Sequence, residues 1–379
     1  MKIPQAQQRR QLLKTLGAGA LAASVSACAP MRPRAPQYPR TYSRLPWAAP
    51  RISMDSVIRS IVGHRPYRPS GFNVSSEAFD EKTVVHNYGH GGGGISLSWG
   101  SSALAVRETL GMKPGEAAVI GSGVMGLTSA RLLQDAGWNV TIYTRNVARH
   151  TTSNVAAGEW SPFSVHDPEV SSAAFKSQFN WASRIAHHAY SNLGGPDYGI
   201  RWLETYTLSD SPDAGDGSGE LADLFPYPRS LGPGEHPFPT RYAHSFVTMQ
   251  IDPAVLLRRL IQDFQIAGGK IIVREFEDRD DVLSVPERVI FNCTGLGAAK
   301  LFGDTELVPA KGQLVFVPPD PAVDYMTFGG GDSMLYMFPR SDVIILGGTF
   351  KLGDYSTQPE PDETERIVTG HQQVFAEFG

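Results

Sequence analysis

The most legible chemistry in this 379-residue sequence lies in its glycines. Gly121-Ser122-Gly123-Val124-Met125-Gly126 follows the apolar run Ala117 to Ile120 without a gap. Leu127, Ala130, Leu132 and Leu133 then recur as on one face of a helix, which Gly137 ends. Strand, glycine turn and helix in that order cradle a pyrophosphate. One glycine makes the tight turn, one lets phosphate oxygens reach backbone N–H groups, and one allows the helix to pack closely on the strand. Asn139-Val140-Thr141-Ile142-Tyr143 supplies the second strand of a dinucleotide-binding unit. About twenty residues past such a motif an acid usually holds the ribose hydroxyls. In this chain the residue is Arg145, which taken alone would suggest NADP. His86 and His90 share a glycine-rich run with no acid or cysteine beside them, so no metal site is expected. Cys293, close to Phe291 and Gly295, reads as a packed thiol rather than a nucleophile.

The elements that must position these residues belong to a globular chain. Hydrophobic residues make up 41% and charged residues 19%, and the length allows two or three packed units. Lys and Arg number 34 against 38 Asp and Glu, for a net charge of −4, so there is no basic excess with which to bind nucleic acid. Cys28 and Cys293 are the only cysteines, which excludes a disulfide framework. Residues 1–28 read as an export signal: Arg9-Arg10 precedes the apolar stretch Leu16 to Ala27, and Val25-Ser26-Ala27-Cys28 looks like a bacterial lipobox. The expected location is the periplasmic or cell-surface side of a bacterial membrane, with a lipid anchor on Cys28. Twin-arginine substrates are exported folded, which implies a cofactor loaded beforehand. Removal of residues 1–27 takes away four basic residues and no acid, so the net charge goes from −4 to −8. Residues 29–50, rich in Pro and Arg, read as a tether.

Five further segments share one resemblance. They are Val84-Val85-His86-Asn87-Tyr88-Gly89-His90-Gly91-Gly92-Gly93-Gly94, Gly63-His64-Arg65-Pro66-Tyr67-Arg68-Pro69, Thr151-Thr152-Ser153-Asn154-Val155-Ala156-Ala157-Gly158, Asn292-Cys293-Thr294-Gly295 and Leu346-Gly347-Gly348-Thr349-Phe350. Each resembles a signature of the D-amino-acid oxidase family of FAD enzymes, and together they span residues 51–379. Their order differs from the family's, in which the nucleotide motif comes first and the Arg-Pro and His-Asn-Tyr-Gly segments come last. The sequence therefore looks circularly permuted. It also has Gly93 where an aromatic is common and Ser102 where alanine is usual.

The resemblance implies a site. Arg65 would pair with the substrate carboxylate through a bidentate guanidinium, held on backbone stiffened by Pro66 and Pro69. Tyr336, in Leu335-Tyr336-Met337-Phe338-Pro339, would be a second donor, and the carbonyl of Gly92 would accept from the substrate amino group. Asp332 falls where the family has a companion tyrosine. Gly121, Gly123 and Gly126 would face the pyrophosphate, and Arg145, Thr151, Thr152 and Gly158 would line the ribityl and adenosine region. Gly91, Gly94, Ile95 and Ser96 would lie along the isoalloxazine.

The expected fold is α/β: a Rossmann-type FAD-binding domain (residues 73–163 and 248–312) interleaved with an antiparallel-sheet substrate domain (51–72, 164–247 and 313–379). The expected reaction is oxidative deamination of a D-amino acid by FAD and dioxygen. Two alternatives stay open: an amine or amino-acid dehydrogenase or glycine/sarcosine-type oxidase of the same fold, and a surface lipoprotein that binds a flavin or ligand without turnover.

Overall fold

The computed structural model describes residues 47–147, 151–212, 219–330 and 334–378. The expectations for the export signal, Cys28, most of the tether and Asp332 lie outside them. Among these residues the chain runs β1 (Arg59–Tyr67), β2 (Asn73–Phe79), β3 (Lys82–Tyr88), α1 (Gly94–Arg107), β4 (Glu116–Ile120), α2 (Val124–Asp135), β5 (Asn139–Thr144), α3 (Thr152–Val155) and α4 (Ala173–Asn192). It continues β6 (Ile200–Ser209), β7 (Arg229–Leu231), β8 (Tyr242–Ile251), α5 (Pro253–Ile266), β9 (Lys270–Val273), α6 (Arg279–Leu283), β10 (Val289–Asn292) and α7 (Gly297–Phe302). The last elements are β11 (Val308–Val317), β12 (Tyr325–Gly329), β13 (Tyr336–Pro339), β14 (Ile344–Gly347), β15 (Lys351–Leu352) and α8 (Pro361–Val374).

Two sheets result. The first has the order β2-β3-β10-β4-β5-β9 and is parallel apart from the edge strand β2. Its inner strands are short apolar runs buried on both faces, as a parallel sheet covered by helices requires: Val289 to Asn292 and Ala117 to Ile120 are all buried. Leu127, Ala130 and Leu133 of α2 pack on this sheet with Val119 and Ile142. The second sheet runs β1-β11-β14-β13-β12-β6-β8-β7, with β15 beside β11, and is antiparallel except where β12 meets β6. Both sheets are assembled from separated stretches of chain. The first takes β2 to β5 and then β9 and β10, while the second takes β1, β6 to β8 and β11 onward.

Two local expectations shift. Val57 to Val62 reads as a strand leading into Gly63-His64-Arg65. A 3-10 turn at Met54–Ser56, closed by a reciprocal Ser53–Ser56 capping box, delays the strand to Arg59, so Arg65 lies inside β1, opposite Ala310. Ile367, Val368, Phe375 and Phe378 recur at roughly helical spacing over Glu363 to Phe378, but the C-terminal helix starts at Pro361, where proline's fixed φ suits a first turn, and ends at Val374. Its last turn lies beside the start of the described chain. Gln372 Nε2 donates to the Ile52 carbonyl at 3.1 Å, Ser60 and Thr364 share a hydroxyl contact of 2.9 Å, and Phe375 and Phe378 join a cluster with Trp47, Ile52 and Val57.

Candidate active site

The glycine turn is shaped by contacts that admit no side chain. Gly121 has φ +107°, and a Cβ there would lie 2.6 Å from the Cys293 carbonyl oxygen. A Cβ on Gly126 would lie 1.9 Å from the Gly121 carbonyl, so α2 packs directly on the end of β4. Gly123 is the N-cap of α2 and has no side-chain capping bond. The backbone N–H of Val124 donates to Ser153 Oγ at 3.0 Å, which brings the Thr151 to Gly158 segment to the same helix end. Gly158 belongs to this arrangement, since a Cβ on it would meet the Ile251 carbonyl at 1.9 Å. Thr151 is the N-cap of α3 and Thr152 is exposed. Arg145 follows the last residue of β5, is largely exposed, and pairs with Glu275 at 3.4 Å.

A second helix end points into the same region. Gly91 to Gly93 form a 3-10 turn that leads into α1, again without a side-chain cap. Gly92 N donates to the Ser164 carbonyl at 2.9 Å, and Gly94 lies near Met125 of α2. Ile95 and Ser96 are buried. Ser96 Oγ donates to the Glu159 carbonyl at 3.1 Å and accepts from Ser161 N at 3.0 Å, tying the start of α1 to the residues after Gly158. Two helix N-termini that begin at glycine N-caps, with only Val124 N taken up by Ser153, make this a place for negative charge.

The polar pair lies on the second sheet. Arg65 Nη2 donates to Tyr336 Oη at 3.3 Å, and Nη1 donates to the Thr349 carbonyl at 3.2 Å. These groups are 271 and 284 residues apart in sequence and meet because β1, β11, β14 and β13 are neighbours in that order. Both side chains lie flat over glycine. A Cβ on Gly312 would be 2.4 Å from Arg65 Nη1, and one on Gly347 would be 2.1 Å from the Tyr336 ring. Among the described residues Arg65 has no carboxylate partner. Arg68, three residues on, is committed to Asp304 at 2.8 Å and Glu306 at 3.3 Å. Burial raises the Tyr336 phenol's pKa above its ordinary value, more than the Arg65 charge lowers it, so the hydroxyl keeps its proton.

The remaining candidates serve the frame. His90 stacks on Phe72 at 4.7 Å, and burial pushes its imidazole down to about 3. Burial pushes the Cys293 thiol up to about 12, where it is a poor nucleophile. Sequence reasoning reaches Gly158 but misses Ser153's bond to α2, the Thr349 carbonyl that holds Arg65, and Glu159. An acid directly after Ala-Ala-Gly was the available signal for the last.

The glycine cradle, two helix N-termini whose N-cap residues are glycines and Ser161 Oγ, buried with no hydrogen-bond partner among the described residues, fit a dinucleotide with a polar ring system. The family profile described as FAD dependent oxidoreductase matches residues 116–379. The chain belongs to that FAD-dependent oxidoreductase family. A D-amino-acid oxidase from Streptomyces coelicolor is 32% identical over 262 residues, covering 68% of this chain and 76% of that one. Among solved structures, glycine oxidase from Bacillus cereus superimposes with a TM-score of 0.52 at 15% identity, covering 68% of this chain and 77% of that one. Iminodiacetate oxidase from Chelativorans sp. BNC1 gives 0.53 at 16%, covering 69% and 80%. At those identities the two structures establish a shared fold. This FAD-dependent oxidoreductase is thus an enzyme of the D-amino-acid oxidase type with FAD as its cofactor. The family match begins at Glu116, so β1 to β3 and α1, which carry Arg65 and Gly91 to Ser96, precede the matched region.

Proposed function

We propose that this enzyme oxidatively deaminates D-amino acids, giving a 2-oxo acid, ammonia and hydrogen peroxide. The reading rests on one observation: a guanidinium with no carboxylate partner among the described residues, bonded to a protonated phenol. Arg65 offers its fork to the substrate carboxylate, and the Tyr336 hydroxyl donates to the same group, so the substrate is fixed at one end by charge-assisted bonds. The Gly92 carbonyl would accept from the substrate amino group. Gly121, Gly123 and Gly126 would hold the pyrophosphate at the α2 N-terminus, with Thr151, Thr152, Gly158 and Arg145 toward the ribityl and adenosine end. Gly91, Gly94, Ile95 and Ser96 would hold the isoalloxazine, and the α1 N-terminus would stabilise negative charge there. FAD supplies the two-electron acceptor, so no strong protein base is needed. The names of the relatives support a D-amino acid as substrate. Anaerobic D-alanine should bleach the yellow flavin band, and peroxide should form on admitting oxygen. A band that no D-amino acid bleaches overturns the reading.

Export through the twin-arginine route and lipidation at Cys28 belong to the same proposal and place the reaction outside the cytoplasm. So does the permuted order. It is supported by the contact of α8 with residues 52 to 60, by β3 lying one strand from β4 across β10, and by a family match that starts only at Glu116. Replacing Arg9 and Arg10 by lysine should hold the FAD-loaded precursor in the cytoplasm.

A further inference from the structure

Glu159 is 8% exposed, yet among the described residues no lysine, arginine or histidine pairs with it. Its one side-chain partner there is Thr205, whose Oγ1 lies 3.4 Å from Oε1. Burial raises the carboxyl to about 8, with the Thr205 bond pulling the other way. A buried acid in this condition costs stability that a leucine of similar reach would not, which marks it for work on a ligand.

Its position in the fold says which ligand. Thr205 is two residues from Thr207 on β6, Thr207 is directly opposite Phe328 on β12, and Phe328 is directly opposite Tyr336 on β13. Residues at these registers share one face of the sheet. Phe328, Tyr336 and Phe338 pack together on that face: the Phe328 and Phe338 rings are 5.0 Å apart edge to face, and Tyr336 and Phe338 are 5.0 Å apart stacked. Leu203, Met326 and Ala157 complete this cluster. Beginning at Arg65 and Tyr336, the face therefore presents an aromatic surface and then a carboxyl. Two strand spacings separate β13 from β6, about 10 Å. Aromatic faces followed by a carboxyl are the surroundings that a primary ammonium or guanidinium on a long chain prefers.

We infer that Glu159 recognises the cationic end of the substrate side chain, so that the preferred substrates are basic D-amino acids such as D-lysine and D-arginine. This rests on the amino-acid reading above, in which Arg65 takes the carboxylate at the other end. An arriving cation returns the Glu159 carboxyl to its ionised form and so draws a proton from it to solvent.

The test uses the FAD-loaded enzyme with D-lysine and D-norleucine, which has a similar carbon chain without the charge. The wild type should favour D-lysine in kcat/KM by about 100-fold, as removal of one partner of a buried charge pair implies. Glu159→Gln should lower D-lysine turnover by a similar factor while D-norleucine changes less than threefold, and Glu159→Leu should reverse the preference. Binding is read separately from perturbation of the flavin absorption. In the wild type 6-aminohexanoate should bind more tightly than hexanoate, and Glu159→Leu should erase the difference. A wild type that favours D-norleucine, or variants that lose both substrates equally, overturns the assignment. Failure of every D-amino acid to reduce the flavin defeats the functional reading instead, while the two carboxylates still report on Glu159.

Discussion

The two sheets are built to different specifications. On the proposed reading, the parallel sheet would hold the cofactor with backbone. At the ends of β4 and at the starts of α1 and α2, the decisive features are glycines that leave no room for Cβ and helix ends whose N-cap residues are glycines. The mostly antiparallel sheet would hold the substrate with side chains that come from distant parts of the chain and meet on one face, such as Arg65 from β1 and Tyr336 from β13. A backbone site tolerates no added atom but carries little charge specificity. A side-chain site is selective, and it can be altered one group at a time without disturbing the fold. Cofactor retention and substrate selection should therefore separate cleanly under mutation.

The strongest way to break that division is Gly126→Val. Its Cβ would sit within 2 Å of the Gly121 carbonyl, where only backbone movement relieves the clash, so the variant should purify without FAD and without activity. The flavin absorbance of the purified protein measures this. If Gly126→Val keeps stoichiometric FAD, the close packing of α2 on β4 is not what forms the cradle.

Arg65→Leu is the counterpart on the other sheet. FAD should remain bound, while kcat/KM for any D-amino acid falls by about 1,000-fold or more, since two charge-assisted bonds to a carboxylate are lost. Tyr336→Phe removes one neutral donor and leaves the ring over Gly347, so it should cost about tenfold. Steady-state kinetics with equal flavin content distinguishes the two. A larger loss for Tyr336→Phe than for Arg65→Leu would make the phenol, and not the guanidinium, the main anchor of the carboxylate.

Legibility in the sequence follows the same division. Gly121 to Gly126 are contiguous, so β4, α2 and β5 are readable from apolar runs and glycine spacing alone. Arg65 and Tyr336 belong to strands, and Thr349 to the connection after β14, whose order in the sheet no local pattern reveals, and only the family resemblance points to Arg65 and Tyr336. Glu159 shows the limit of reading by motif. Its significance depends on Thr205, which is 46 residues away, and on the shared face of β6, β12 and β13. Arg145, just after β5, is readable from its spacing to the glycine motif, while its exposed pairing with Glu275 is not.

His90 provides the smallest effect at neutral pH and a test of how firmly the glycine loop is held. It lies between β3 and the Gly91 to Gly93 turn, is 2% exposed, stacks on Phe72, and leaves Nε2 without a hydrogen-bond partner among the described residues. Its pKa in the folded protein, about 3, is below the usual histidine value near 6.5. Between those values the unfolded chain binds a proton that the folded one refuses. The stability conferred by the neutral ring is thus complete above pH 6.5 and is lost as pH falls toward 3, by about 1.4 kcal/mol per pH unit for one proton. His90→Leu keeps the apolar contact and removes the proton, so it should change stability at pH 7 by about 1 kcal/mol or less and flatten the acid limb by that slope. Urea unfolding from pH 7 to pH 4 measures both. An unchanged acid limb would mean that His90 takes up its proton in the folded state, with the loop opening to solvent around it.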